Sequence, residues 1–233
     1  MEEKKFVKFK QDELGIKEYI KNSLGKGRIS DVFIEYTPVG EKIIIATNRP
    51  GLVIGRKGEK IDELTYILRK RFNLDNPHID IKEITNEALD AQLVADSIAI
   101  QIERKGSLKF KVIAYKTLES IMRSGALGAE LALSGKLPSE RAKTWRFTKG
   151  YLKKTGDPSK VVNKAIAQAK TPMGVVGIKV SILPPDAHIH DLIKVNDFML
   201  QNIRQNEINR QDEIDRLKII PIKKKSKKRG EIK

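Results

Sequence analysis

A short basic segment with two closely spaced glycines sets the strongest constraint on the fold of this chain. The segment reads RPGLVIGRKGEKI, and its G-x-x-G loop runs from Gly55 to Gly58 with Arg56 and Lys57 between the glycines. An alternating apolar run precedes it and a helical apolar pattern follows it. Because glycine has no Cβ, the backbone can turn tightly here and approach a phosphate, which the two cations attract. The segment therefore predicts a tight turn before a helix, in contact with a polyanion.

The composition also favours a polyanionic partner. The 233 residues include 46 lysines and arginines against 30 aspartates and glutamates, which gives a formal net charge of +16. A soluble domain needs a net charge of only about 2–8, so solubility alone is the less favoured explanation. Lysine and arginine side chains that neutralise phosphates release condensed counterions, and this release drives binding to nucleic acid.

Several classes of protein are excluded by what the sequence lacks. There is no cysteine, which excludes disulfides, thiol nucleophiles and cysteine-ligated zinc. The first residues, MEEKK, lack the apolar core of a signal peptide. No segment approaches the roughly 20 apolar residues of a membrane span. We therefore expect a cytoplasmic protein without a membrane partner.

The order of the predicted elements in the first part of the chain indicates an α+β fold. The apolar patterns predict, in order, a helix, two antiparallel strands, one helical turn, the G-x-x-G loop, a longer helix and a strand, over residues 12–24, 29–36, 43–46, 52–54, 55–58, 61–72 and 78–84. Strands that precede a helix–loop–helix unit are typical of a type II KH domain, whose G-x-x-G loop clamps a nucleic-acid backbone. We predict such a domain over residues 1–87, with RNA bound by Gly55, Arg56, Lys57, Gly58 and Lys60.

The second part, residues 88–185, predicts another α+β domain, an α/β sandwich with a mostly antiparallel sheet. Helices are expected over residues 88–105, which link the domains, and 108–123, followed by strands over 129–133 and 176–182. The pattern over residues 161–169 fits either a strand or a helix. A polar extension follows from residue 186, partly helical over 191–218 and ending in the basic run KKKSKKR, which we expect to be disordered until it meets an anionic partner.

The segment from residue 135 to residue 154 mixes cations with Trp145, Phe147 and Tyr151. Its cations are Lys136, Arg141, Lys143, Arg146, Lys149, Lys153 and Lys154. One interpretation is an RNA surface on which bases stack. The other, which we favour, is a strand whose three odd-numbered aromatics face the core beneath a basic outer face. Under both, the cations at positions 136, 141, 143, 146 and 149 are predicted to bind phosphate.

The chain carries no recognisable catalytic or cofactor motif. His188, His190 and Asp191 offer too few ligands for a metal site. There is no P-loop, no dinucleotide-binding fingerprint and no nucleophile elbow. We therefore expect no metal, no cofactor, no small-molecule substrate and no enzymatic activity.

Three sets of residues resemble the small-subunit ribosomal protein three family, in its archaeal and eukaryotic branch. They are VIGRKG at 53–58, LDAQLVADSI at 89–98, and in the second domain MRSGALG at 122–128, SGKL at 134–137 and GVVGIKV at 174–180. The resemblance covers roughly residues 10 to 185. It implies a structural protein in the head of the small ribosomal subunit that contacts small-subunit ribosomal RNA and neighbouring head proteins, and that lines the entry path of messenger RNA.

The resemblance extends to a helix that, in bacterial members of the family, offers cations to the incoming message and helps to unwind it. The matching segment here is FKVIAYK, in which Lys111 and Lys116 are basic. Val112 and Tyr115 stand where bacterial members tend to carry cations. For Lys111 and Lys116 the resemblance implies a position at the messenger entry, and it does not by itself imply unwinding.

Two alternative functions remain open. Some animal members of the family are reported to cut DNA at abasic sites, which would require a lysine able to form a Schiff base. A regulatory RNA-binding protein outside the ribosome would carry the same cations.

Overall fold

The computed structural model describes residues 2–38, 40–72, 74, 76–187, 189 and 197–218. It divides into two units, Met1–Ile189 and His190–Lys233. The first unit contains two lobes, each with its own sheet and hydrophobic core. We refer to residues 2–84 as the N-terminal lobe and to residues 91–187 as the C-terminal lobe.

The N-terminal lobe packs helices on one face of a three-stranded sheet. Its elements are α1 (Glu2–Leu24), β1 (Ile29–Thr37), β2 (Gly40–Thr47), α2 (Pro50–Ile54), α3 (Glu59–Phe72) and β3 (His78–Glu83). In the sheet, β2 lies between β1, which is antiparallel to it, and β3, which is parallel. The core forms because apolar residues recur every fourth position on the helices and every second position on the strands. Its buried members include Ile16, Ile20, Val32, Ile43, Ile45, Val53 and Leu68.

Helix α1 begins ten residues before its predicted start at residue 12. Only Ile16, Ile20 and Leu24 of this helix are buried, and they form the stripe that the apolar periodicity detects. The earlier turns are mostly lysine and glutamate, which favour helix without any apolar period. Ion pairs such as Lys10 Nζ to Glu13 Oε2, at 2.6 Å, support these exposed turns.

The C-terminal lobe is a two-layer sandwich of two helices on a four-stranded antiparallel sheet. Its elements are α4 (Ala91–Lys105), α5 (Phe110–Arg123), β4 (Gly128–Gly135), β5 (Lys143–Gly150), β6 (Asn163–Thr171) and β7 (Gly174–Leu183). The strand order is β5-β4-β7-β6, and every neighbouring pair is antiparallel. The core lies between the helices and one face of the sheet. Among its members are Ile98, Ile102, Phe110, Leu131, Leu133, Val176, Ile178, Val180 and Ile182.

These elements confirm the predicted α+β fold and its antiparallel second sheet. The ambiguous segment is strand β6, in which Ala165 and Ala167 face the core and Ile166 faces away. Helix α4 begins three residues later than predicted, because the Asp90 carboxylate accepts hydrogen bonds from the backbone N–H groups of Gln92 and Leu93 and caps the helix there. The N-terminal core ends along the chain at Ile81 and the C-terminal core begins at Leu89, which supports our proposal of a domain boundary between residues 87 and 88.

The second unit contributes helix α6 (Asp197–Lys218), whose side chains from Met199 to Gln211 are exposed. His188, His190, Asp191 and the basic run at 223–229 lie outside the described residues. Within the described ranges, no cluster of three or more metal-binding side chains occurs. The described helices also include none with the length and apolar character to span a membrane.

Candidate nucleic-acid interface

The G-x-x-G loop is held against the N-terminal lobe by one short helix. Pro50 is the first residue of α2, where its missing N–H costs nothing. Val53 is fully buried in the core, so the helix is anchored on the side away from solvent. The helix ends at Gly55, whose N–H donates to the Gly51 carbonyl at 3.1 Å. The loop therefore projects from a fixed base.

The backbone of the loop requires glycine. Gly55 has φ 76° and ψ −172°, a conformation that is essentially restricted to glycine. A Cβ at Gly55 would also lie 2.8 Å from Cγ of Lys60. Gly58 has φ 86°, and between them Lys57 takes the left-handed conformation with φ 55° and ψ 20°. The tight turn that the sequence predicted is therefore present.

The loop and the first turn of α3 present three cations to solvent. Arg56, Lys57 and Lys60 are all exposed, and none of them forms an ion pair with another described residue. Helix α3 starts directly after the loop with Glu59 and Asp62 in its first turn, and these acids offset the positive end of that helix. The positive charge here therefore comes from the side chains rather than from the helix end.

Helix α5 and strand β5 bring cations and aromatic rings together on a second surface. Lys111 Nζ lies 4.7 Å from the ring centroid of Trp145, within the range of a cation–π interaction. Tyr115 packs edge-on against Phe147 at 5.2 Å and remains 63% exposed. Lys143 belongs to the same face of β5 as Trp145, two residues along the strand. This α5–β5 surface offers positive charge beside a ring on which a base could stack.

The structure corrects the prediction of one basic outer face on β5. Phe147 is buried and Trp145 half-buried, as predicted, but Tyr151 is exposed because the strand ends at Gly150. Side chains alternate along a strand, so Lys143 and Lys149 share the face of the aromatics. Arg146 is the strand cation on the opposite face. Two further predicted residues, Lys136 and Arg141, are exposed in the loop between β4 and β5.

A basic cleft of about 650 Å³ lies between the two lobes of the first unit. Arg28 and Arg49 line it from the N-terminal lobe, and Arg104 and Lys116 line it from the C-terminal lobe, together with one acid, Glu87. Of these four cations, the sequence analysis had proposed only Lys116 as an RNA-binding residue. The three arginines are far apart along the chain and follow no common pattern, so no signal in the sequence placed them together.

Carboxylates of α4 and of its N-cap residue Asp90 bind the segment that lines this cleft from the N-terminal lobe. The Gly27 N–H donates to Asp96 at 3.0 Å, and the Ser30 hydroxyl donates to Asp90. Burial raises the pKa of Asp96. One oxygen of Glu103 accepts the Lys170 N–H at 2.8 Å and lies 3.4 Å from Lys26 Nζ. The Lys170 hydrogen bond, with the charge of Lys26, lowers the pKa of Glu103. These contacts tie the loop after α1 to the C-terminal lobe.

Two family models match the chain in the order of the two lobes. The model described as KH domain matches residues 15–89, and the model described as Ribosomal protein S3, C-terminal domain matches residues 98–182. The matched ranges correspond to the G-x-x-G lobe and to the four-stranded lobe.

Archaeal relatives match over most of the chain. The protein named Small ribosomal subunit protein uS3 from Methanocaldococcus jannaschii is 42% identical over 198 residues, which are 84% of this chain and 94% of that protein. The protein of that name from Methanococcus maripaludis is 38% identical over 84% of this chain and 92% of its own length. The one from Haloarcula marismortui is 35% identical over 82% of this chain and 62% of its own length. All three are named as ribosomal proteins and not as enzymes.

Proposed function

The chain belongs to the ribosomal protein S3 family, and on this basis we propose that it is a constituent of the small ribosomal subunit that binds small-subunit ribosomal RNA. We propose that the protein lies in the head of the subunit, in the cytoplasm, in contact with neighbouring head proteins. The proposal joins the family membership to the electrostatics of the chain, whose net charge of +16 suits a polyphosphate partner.

The observation that carries RNA binding is the G-x-x-G loop. Arg56, Lys57 and Lys60 are exposed beside a backbone turn that is fixed by glycine conformations and anchored by buried Val53. A rigid turn loses little conformational entropy when a phosphate binds to it. The loop holds the RNA backbone, and it does not need to read base edges to do so.

The α5–β5 surface and the cleft supply a second contact, with messenger RNA at the entry channel. Lys116 lines the cleft beside Arg28, Arg49 and Arg104, and Lys111 lies over Trp145 at the α5–β5 surface. Cations beside an exposed ring such as Tyr115 suit a single strand, because an unstacked base can pack on the ring. Small subunits programmed with a message that contains 4-thiouridine test this contact. Lys111→Ala with Lys116→Ala should lower the yield of crosslinks to this chain, and an unchanged yield would contradict it.

The loop is tested by the affinity of the full-length protein for small-subunit ribosomal RNA. Arg56→Ala with Lys57→Ala should weaken binding and lower the salt dependence of log affinity by about 2, since each removed phosphate contact contributes about 1. The matched control is Lys4→Ala with Lys5→Ala, which removes the same charge from the exposed start of α1. Equal affinities of the two variants would show that the RNA contact does not lie at the loop.

A further inference from the structure

The sheet of the C-terminal lobe has a second face that no described helix covers. Strand pairing aligns its side chains in rows. One row crosses the four strands in the order Arg146, Ala132, Lys179 and Ile166. The next row runs Thr148, Glu130, Ser181 and Lys164. We call this surface the open sheet face.

Three exposed cations on three different strands dominate the open sheet face. They are Arg146 on β5, Lys179 on β7 and Lys164 on β6, and none forms an ion pair with another described residue. Since neighbouring strands lie about 4.8 Å apart, the Cα atoms of Arg146 and Lys179 are about 10 Å apart. The three positive charges therefore spread over the face instead of forming one point.

The one acid among these two rows is already neutralised. The side chain of Glu130 is only 13% exposed, and its carboxylate binds Lys154 Nζ at 2.6 Å. Lys154 reaches it from the segment that follows β5. A shallow pocket of about 260 Å³ lies here, lined by Glu130, Arg146, Lys164, Lys179 and Ser181 among others. The net charge that the pocket presents to a ligand is thus strongly positive.

The central strand positions of the face carry small side chains, which favours a phosphate backbone over a protein surface. Ala132 lies between Arg146 and Lys179, and Ser181 lies beside Lys164. Stable protein interfaces are built around buried aromatic or large apolar anchors, and the central positions here supply none. The larger apolar side chains of this face, such as Ile166, lie near its edge at β6. Lysine, arginine and hydroxyl side chains are the groups that commonly contact phosphate and sugar.

We propose that the open sheet face is a further RNA-binding surface, which holds the sugar–phosphate backbone of structured RNA through Arg146, Lys164 and Lys179. This inference rests on the proposed function, because it assigns a further contact with small-subunit ribosomal RNA. It is separate from the G-x-x-G loop, which lies in the other lobe. It also extends the sequence prediction, which had named only Arg146 of these three residues.

The test is the affinity of the full-length variant Arg146→Gln, Lys164→Gln, Lys179→Gln for small-subunit ribosomal RNA over a series of salt concentrations. All three positions are exposed, so the fold should persist, and a thermal melt checks it. Removal of three phosphate contacts should weaken binding at least tenfold at low salt and lower the salt slope by about 2–3. Combination with the Arg56→Ala, Lys57→Ala variant should give additive losses, because the two surfaces share no side chain.

The matched control removes three charges elsewhere, by Lys4→Gln, Lys5→Gln and Lys8→Gln on the exposed start of α1. If the sheet variant and this control bind RNA equally, the inference is overturned and the face serves another partner, such as an acidic protein. If the loop variant loses affinity while the sheet variant does not, only this inference fails. If the wild-type protein does not bind the RNA, the proposed function fails with it.

Discussion

Two residues of the G-x-x-G loop illustrate how strongly single backbone angles constrain this chain. Gly55 takes a conformation that only glycine adopts readily, and Lys57 takes a left-handed conformation that costs a side-chain-bearing residue about 1–2 kcal/mol. The protein tolerates this conformation at Lys57 because the flanking glycines and buried Val53 fix the loop. The result is a cation held at the tip of the turn.

We predict that Gly55→Ala destabilises the protein by about 1–3 kcal/mol, because alanine is strained at φ 76° and its Cβ would press on the Lys60 side chain. The measurement is the free energy of unfolding from urea titration. Gly51→Ala is the matched control, since Gly51 lies in α2 and a Cβ at this position would meet no other atom within 4 Å. That substitution should be neutral or slightly stabilising. Equal stabilities of the two variants would show that the Gly55 conformation carries no strain for alanine.

At the scale of elements, α4 connects the two lobes. It contributes buried residues to the C-terminal core, including Ile98 and Ile102. Its Asp96 binds the loop that leads from α1 to β1, and its N-cap Asp90 binds Ser30 at the start of β1. Glu103, near the end of the helix, also accepts the N–H of Lys170 on β6. One helix thus lines the basic cleft and holds in place the loop on the opposite wall.

We predict that Glu103→Gln lowers the free energy of unfolding by about 0.5–1 kcal/mol at pH 7, and that the difference from the wild type disappears at low pH. The lowered pKa of Glu103 means that its ionised form is stabilised in the folded protein, mainly by the Lys170 N–H and then by Lys26. This stabilisation is complete above the ordinary pKa of a glutamate and is lost as the pH falls from about 5 through the lowered value. Urea titrations at pH 7 and at pH 3.5 measure it.

A control for this prediction is Glu119→Gln. Glu119 pairs with Arg123 at 2.7 Å on an exposed face of α5, where an ion pair adds little to stability. The Glu119→Gln substitution should therefore change the free energy of unfolding less than Glu103→Gln does. A Glu103→Gln difference that persists undiminished at pH 3.5 would rule out the proposed ionic origin.

The elements were predictable where a buried stripe or a local cap marks them. The alternation of Val176, Ile178, Val180 and Ile182 predicted β7, and all four side chains are buried. The start of α1 was missed, because residues 3–12 are exposed and helical propensity without burial leaves no apolar period. The alternation over β6 was ambiguous, since alanine is apolar enough for a core and also favours helices.

At the scale of the whole molecule, the part of the candidate site that is local in sequence was predictable and the part built from distant segments was not. The G-x-x-G loop contains its glycines and cations in four consecutive residues. Arg28 and Arg104 lie together in the cleft only because the two lobes pack against each other. Arg146 and Lys179 lie together on the open sheet face only because both strands pair with β4. The excess positive charge indicated a polyanionic partner, but the sequence pattern does not show which faces of the folded protein carry that charge.

The central claim is that neutralisation of RNA phosphates holds this protein on the small ribosomal subunit. The most direct measurement is the affinity of the full-length protein for small-subunit ribosomal RNA as a function of salt concentration. Arg56, Lys57 and Lys60 alone would give a slope of log affinity against log salt of about −2 to −3, and further contacts would make it steeper. A straight line at least this steep is the predicted result, whereas an affinity that does not change with salt would contradict the account.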